Sequence, residues 1–295
     1  MPRLTIPVVQ AFVDAGRGGN PAGVVLNADA FDPATRQRIA TRVSLSETAF
    51  VSASIVADFK LEFFTPVRQI AQCGHATIAT FSYLAQQGML KEGHNSMETV
   101  DGVRGIRLED NQAFMEQRAP TFTPPDQVIA DLSTQQILDS LRLSATDLID
   151  GQVPVVVNTG NSFMIVPLRS AGAVRNVAPD LDAIERISEQ LDLVGYYVFS
   201  PDVQQSGRDA GARMFAPRYG ISEEAATGMA AGPLACYLFR YIQSPKTTFL
   251  VEQGHLMPSP SPSVLTAQLY LDQHTITSLW VGGRAATSHS IDIDY

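Results

Sequence analysis

The sequence predicts an α+β fold in which mixed sheets wrap around one long helix per half of the chain. Three observations carry that prediction. Strand-like runs rich in β-branched and aromatic residues recur along the whole length, helical periodicity is confined to a few segments, and the two halves echo one another. The start, "MPRLTIPVVQAFVDAG", has one arginine, no long apolar run after it and no small-residue cleavage site, so it is expected as a first strand and not as a secretion signal. Further strands are expected at "ETAFVSASIV", "FKLEFFT", "QAFMEQRA", "VPVVVNTG", "SFMIVPL", "GYYVFSP", "ARMFAP", "TTFLVEQG" and "VLTAQLYLD". The 3.6-residue period places helices over 33–43, 75–89, 134–142, 180–191 and 228–243. The stretch 118–128 carries three prolines without periodicity and is expected as an interdomain linker, and "PSPSPS" at 258–263 as an exposed loop.

The echo between halves is the more informative pattern. "FFTPVRQIAQCGHATIATFSYL" reappears loosely as "MFAPRYGISEEAATGMAAGPLACYL". In both, an aromatic, a small residue and a proline precede a loop that ends in a residue plus glycine: Cys73 with Gly74, and Thr227 with Gly228. Nine positions separate Gly74 from Tyr83 and nine separate Gly228 from Tyr237, with leucine following both tyrosines. The first loop runs eight positions from proline to glycine and the second eleven, a three-residue insertion. A duplicated chain is the expectation, with lobes over 1–120, completed by about 281–295, and over 128–280.

Composition bounds the function. With 295 residues, 45% hydrophobic and 17% charged, the chain is long enough for two globular domains. A net charge of -9 and no basic run argue against a nucleic-acid partner. No window approaches the roughly 18–20 apolar residues of a spanning helix, so no membrane is expected. Two cysteines make neither a disulfide framework nor a CxxC pair, and the expected compartment is the cytoplasm. His94, His255, His274 and His289 lack ligand spacing, so the sequence points to no metal. No GxSxG, GxGxxG or phosphate loop occurs.

A glycine at a loop-to-helix junction lets the backbone approach a ligand, and the first amides of the helix then face whatever anion sits there. Two such junctions on facing domains would converge on one small carboxylate. Their positive ends would lower the pKa of a thiol or stabilise an enolate. The plainer reading of Cys73 is a buried cysteine in an ordinary helix.

At these residues the sequence resembles the PhzF-like isomerases of the diaminopimelate epimerase fold. The resemblance rests on "GGNPAGVVL" at 18–26, "LSETAFV" at 45–51, "FFTPVRQIAQCGHAT" at 63–77, "EEAATGMAA" at 223–231, "VEQG" at 251–254 and "VGG" at 281–283. It implies two similar domains, each a sheet curled around a central helix, with the active site between them. It also implies a cofactor-independent isomerase acting on a small unsaturated carboxylic acid, with dimers common among relatives. Glu47 takes the place of the acid/base that moves the proton, preceded by Ser46, while Gly74 and His75 hold substrate and Asn20 lines the pocket. The second loop departs from the family's pattern: Glu224 stands for a shorter acid, and Met229 replaces a serine after Gly228. Cys73 matches the first catalytic cysteine of the epimerases, but the partner position is Thr227, which disfavours a two-cysteine racemisation.

The residues themselves leave alternatives open. Alternation in "VSLSETAFV" could send Glu47 to the solvent face of a sheet; in a dry cleft, desolvation would raise its pKa toward the working pH. His75 could be a helix-start residue satisfied by carbonyls. Glu224 belongs to an adjacent acidic pair of the kind that is usually solvated in a loop, or it orients His75 or acts as a second carboxylate. The competing functions are a dehydratase or epimerase with Cys73 as base and Thr227 opposite, and a lapsed ligand- or protein-binding member of the fold.

Overall fold

The computed structural model describes residues 3–295, so the first two positions of the expected N-terminal lobe lie outside the described residues. The chain divides into two compact units, one reaching Glu116 and completed by Gly282–Tyr295, the other Gln117–Val281. No helix among the described residues is long and apolar enough to cross a membrane.

The first unit runs β1 (Arg3–Ala11), β2 (Asn20–Val25), α1 (Pro33–Val43), β3 (Glu47–Ser52), β4 (Phe59–Phe64), β5 (Gln69–Ile70), α2 (Gly74–Gln86), β6 (Gly93–Thr99), β7 (Gly102–Glu109) and β8 (Gln112–Arg118). The second continues with β9 (Thr121–Thr123), α3 (Pro125–Val128), α4 (Thr134–Asp139), β10 (Val155–Asn158), β11 (Ser162–Pro167), α5 (Ala171–Asn176), α6 (Leu181–Gln190), β12 (Gly195–Ser200), β13 (Ala210–Ala216), β14 (Ile221–Glu224), α7 (Gly228–Arg240), β15 (Thr248–Gln253), β16 (Ser263–Asp272) and β17 (Thr275–Gly283). The last strand, β18 (Ala285–Asp294), pairs antiparallel with β1 inside the first unit, with a register shift between Val8 and Val9.

One succession of pairings occurs in both units. In the first, β1–β2 is antiparallel, β2–β3 parallel, β3–β4 and β4–β5 antiparallel, β4–β6 parallel and β6–β7 antiparallel. In the second, β10–β11, β11–β12, β12–β13, β13–β14, β13–β15 and β15–β16 repeat that order. A parallel joint needs a crossover, and helices supply it at each one: α1 and α2 in the first unit, α5 with α6 and α7 in the second.

Local chemistry explains the helices. At α1, Asp32 accepts the Thr35 amide at 2.7 Å, Pro33 occupies N1, and Ser44 closes the helix in the left-handed region. Its buried face, Ile39, Ala40 and Val43, joins Phe50, Phe64 and Ile6 in one apolar cluster. The central helices α2 and α7 are apolar nearly all round and correspondingly buried. Inside α2, Thr77 and Thr80 donate to the carbonyls of Cys73 and Ala76, each at 2.7 Å, which hides their hydroxyls from an apolar setting. Helix α7 carries Pro233, which has no amide to donate to the Met229 carbonyl.

The linker expectation needs correction. Within 118–128, Phe122 and its neighbours pair with β10 as β9, and Pro125 starts the single turn α3. The unit boundary falls earlier, at Glu116/Gln117. The "PSPSPS" run does lie outside regular structure up to Ser263, where β16 begins.

Two glycines make a test of the packing. A Cβ on Gly195 would stand 2.3 Å from the Phe215 carbonyl oxygen, whereas one on Gly172 in α5 would meet nothing nearer than Ser170 Oγ at 3.6 Å. Gly195→Ala is expected to destabilise by about 1–3 kcal/mol, and Gly172→Ala to be neutral or stabilising by up to about 1 kcal/mol. Denaturant midpoints check this; equal shifts for the two variants would contradict it.

Candidate active site

The residues singled out above fall into two local constellations, one in each unit. In the first, β3 lies between β2 and β4 with all six of its residues buried, so alternation has no solvent face to offer Glu47. Glu47 is the first residue of β3, opposite Ala22, and is 7% exposed. Asn20, also buried, opens β2 two positions before Ala22. Ser46 is exposed, and its hydroxyl serves the Glu47 carboxylate. Cys73 is the N-cap of α2, Gly74 its first residue and His75 its second.

The fold brings Glu47, Cys73 and His75 together. His75 Nε2 stands 3.1 Å from Glu47 Oε2, and His75 Nδ1 stands 3.5 Å from Cys73 Sγ. Cys73 is 6% exposed and His75 4%. Glu47 Oε2 makes no well-directed hydrogen bond, so the His75 contact holds by charge more than by direction.

Electrostatics corrects one expectation. Burial alone would raise the Glu47 pKa, but the His75 imidazole and the Ser46 hydroxyl override it, and the carboxyl sits below its ordinary 4.5. Burial likewise works against charge on His75, yet the Cys73 sulfur and the Glu47 carboxylate hold its pKa well above 6.5. The Cys73 thiol is pushed up, chiefly by burial, and Glu47 adds to that. The helix start therefore does not bring the Cys73 pKa below its ordinary value.

In the second constellation Glu223 and Glu224 end strand β14 instead of lying in a solvated loop, and both are half-buried. Arg213 donates to both oxygens of Glu223, at 2.7 and 2.8 Å, so that acid is structural. Glu224 accepts the Thr227 hydroxyl at 2.5 Å. Gly228 begins α7, and half-buried Met229 accepts from Asn161 Nδ2 at 3.3 Å.

Sequence reasoning passed over the residue that ties this loop together. Gln253 of "VEQG" is 1% exposed. Its Nε2 donates to the Glu224 carbonyl at 2.7 Å and to Thr227 Oγ1 at 3.2 Å, and its Oε1 accepts from the Thr227 amide at 3.1 Å and the Tyr197 hydroxyl at 2.8 Å. A Cβ on the next residue, Gly254, would stand 2.8 Å from the Ala225 carbonyl, so this backbone presses against the same loop. Gln117 was missed too. Gln117 donates to the Gly228 carbonyl at 3.0 Å and is oriented by the Thr159 hydroxyl at 2.8 Å. The signal was present only as the quoted motif, with no long-range partner visible.

One group of three among the described residues has donors placed as a metal needs: Glu47, Cys73 and His75, whose ligand atoms lie within 4.8 Å of one another. None of the four scattered histidines belongs to it.

With a mixed-sheet α+β fold and a buried acid set against an imidazole in place, the chain's relatives are isomerases. The chain belongs to the phenazine biosynthesis-like protein family, whose model matches residues 9–290. It is 31% identical over 251 residues to the uncharacterized isomerase YfhB of Bacillus subtilis, covering 83% of this chain and 84% of that one. It is 32% identical over 244 residues to the trans-2,3-dihydro-3-hydroxyanthranilate isomerase of Pseudomonas fluorescens, covering 80% of each. Among solved structures, a PhzF-family phenazine biosynthesis protein of Bacillus anthracis superposes with a TM-score of 0.89 at 25% identity over 100% of both chains. A hydroxyproline epimerase of Agrobacterium vitis shares the fold alone, with a TM-score of 0.60 at 14% identity over 99% of this chain and 91% of that one.

The ion pair predicts a pH signature in stability. Glu47, with its pKa lowered, contributes stability above its ordinary 4.5 that is lost as pH falls through the folded value. His75, with its pKa raised, contributes fully below 6.5 and loses the contribution as pH rises through the folded value. The melting-temperature gap between the native chain and a Glu47→Gln/His75→Gln variant should be widest between about pH 4.5 and 6.5. A gap that does not change with pH would contradict the pairing.

Proposed function

We propose that this isomerase moves a proton within a small carboxylic acid, without a cofactor, and that Glu47 is the group that carries it. The observation that supports this reading is the pair itself: a buried carboxyl, its pKa held below the ordinary 4.5, 3.1 Å from an imidazole at the start of a long helix.

An incoming carboxylate would be met by the His75 cation and the first-turn amides at Gly74. As His75 turns its charge toward that anion, its hold on Glu47 weakens, and burial then pushes the Glu47 pKa up toward what a general base needs. Glu47 takes a proton from the carbon beside the carboxylate or its extended double bond. The electron pair left on the substrate delocalises into the carboxylate, where His75 and the helix start stabilise it. The same proton returns to a different carbon or the opposite face, so atoms balance without an external acid. Asn20 and Ser46, at the starts of the two neighbouring strands, are the nearby polar groups for the rest of the substrate. The relative that acts on trans-2,3-dihydro-3-hydroxyanthranilate suggests a ring-bearing unsaturated acid as a first candidate. A cytoplasmic homodimer is the working assembly. The roles of Glu224, Thr227, Gly228 and Met229 remain those the family resemblance implies.

A Cys73 base fits less well, because burial keeps the thiol protonated.

Incubating the protein in D2O with a panel of small unsaturated and 2-substituted acids tests the proposal by deuterium incorporation at carbon. Glu47→Gln is expected to lower exchange by at least about 10²–10⁴-fold while far-UV spectra stay native; exchange at the wild-type rate would remove Glu47 from the mechanism. The acid limb of kcat/KM, which reports the free enzyme, should lie below that of kcat, which reports the complex. Coincident limbs would rule out the His75 hand-over.

A further inference from the structure

We propose that Glu47, Cys73 and His75 form a binding site for one borderline transition-metal ion, Zn²⁺ in kind, whose occupancy holds the enzyme inactive by capturing its base. The three donors are a thiol sulfur, an imidazole nitrogen and a carboxylate oxygen within 4.8 Å of one another. Ligands of a tetrahedral zinc ion, bound at about 2.0–2.3 Å, stand about 3.3–3.8 Å apart. With Nε2 as the imidazole ligand, two edges stand close to that without any ion present: 3.9 Å to Cys73 Sγ and 3.1 Å to Glu47 Oε2, with all three donors within 4.8 Å of one another.

The carboxylate is also incompletely satisfied: Glu47 Oε2 is buried and lacks a well-directed hydrogen-bond donor, its His75 contact at 3.1 Å being one of charge. All three side chains are at least nine-tenths buried and stand on regular elements: Cys73 and His75 at the N-cap and second position of α2, Glu47 at the first residue of β3. Mixed sulfur, nitrogen and oxygen donors select Zn²⁺, Co²⁺ or Cd²⁺ over Mg²⁺ and Ca²⁺, which want oxygen alone. Three protein ligands leave a fourth position for water or an added carboxylate. Binding requires the thiol and the imidazolium to give up their protons to solvent, and the metal then holds the carboxylate electrons that would otherwise accept a substrate proton. The binding half rests on the three donors alone; the inhibitory half rests on Glu47 being the base.

The test uses the full chain, stripped with a chelator and titrated with Co²⁺. One Co²⁺ per chain is expected, with a thiolate-to-cobalt charge-transfer band and tetrahedral visible bands, displaced by Zn²⁺ and indifferent to excess Mg²⁺. Cys73→Ser should lose the charge-transfer band, and His75→Gln should weaken Zn²⁺ binding by at least about 100-fold. Retention of the band in Cys73→Ser would place the ion on Cys236 and overturn the site. Should that variant not fold, the wild-type titration decides: an octahedral spectrum without a thiolate band, or Mg²⁺ competing equally, overturns it. Absence of the band in the wild-type chain alongside Glu47-dependent exchange in D2O would sink the metal site and leave proton transfer standing. Zn²⁺ that binds without slowing that exchange would overturn the inhibitory half.

Discussion

The constraint on which the site depends is that a carboxylate and an imidazole share a place almost without solvent. Each charge taken out of water costs several kcal/mol, and only a close counter-charge offsets it. Glu47 and His75 supply one another at 3.1 Å, and the helix start adds donors on the anion's side. Helix α2 itself is apolar nearly all round, and its threonines donate their hydroxyls to their own carbonyls. The pair is therefore destabilised by any change to one partner alone. The same isolation makes its charge distribution sensitive to a third charged species, which is the property both a substrate carboxylate and a metal cation would exploit, with opposite effects on Glu47.

The second unit uses the same local frame with a different set of side chains. Cys73 and Thr227 are both N-caps, Gly74 and Gly228 both begin the central helix, and His75 and Met229 both follow. Where the first unit places a titrating imidazole, the second places a thioether that accepts from Asn161. Its carboxylate, Glu224, is held by the Thr227 hydroxyl, and Gln253 fixes the loop with four hydrogen bonds from a fully buried position. A loop tied by that many buried hydrogen bonds is rigid. One frame thus carries two side-chain sets, an imidazole beside a thiol and a carboxyl in the first unit and a thioether beside a hydroxyl-held carboxylate in the second.

How much of this was legible depends on what kind of signal each feature leaves. The helix over 33–43 was visible because Asp32, Pro33 and an apolar stripe all mark it locally. β6, β7 and β18 were not, because "GHNSMET", "GVRGIRLE" and "AATSHSIDID" are polar along most of their length and become strands only through their partners. β9 hid inside a proline-rich run for the same reason: its three residues matter only as a ladder beside β10. In the site, Glu47, Cys73 and His75 could be named from short motifs, but not the contacts between them, since 26 positions separate Glu47 from Cys73 in "VSLSETAFV" and "AQCGHAT". The direction of the Glu47 shift was misjudged for that reason: desolvation can be inferred from apolar flanks, a counter-ion from across the fold cannot.

That misjudgement bears on how such an acid works. A base whose pKa had been raised by burial alone would be protonated for much of the time and would need to lose a proton before acting. Here the free enzyme keeps Glu47 ionised and paired, a state that is ready to accept a proton yet too weakly basic to take one from carbon. The two requirements are reconciled only if the partner is withdrawn at the moment of binding. In the proposed mechanism His75 does this from the start of α2, where Cys73 and Glu47 hold its pKa above the ordinary 6.5 against the effect of burial. On the proposed mechanism basicity is switched on by the substrate's own charge, so neutral molecules of the same shape would leave Glu47 clamped.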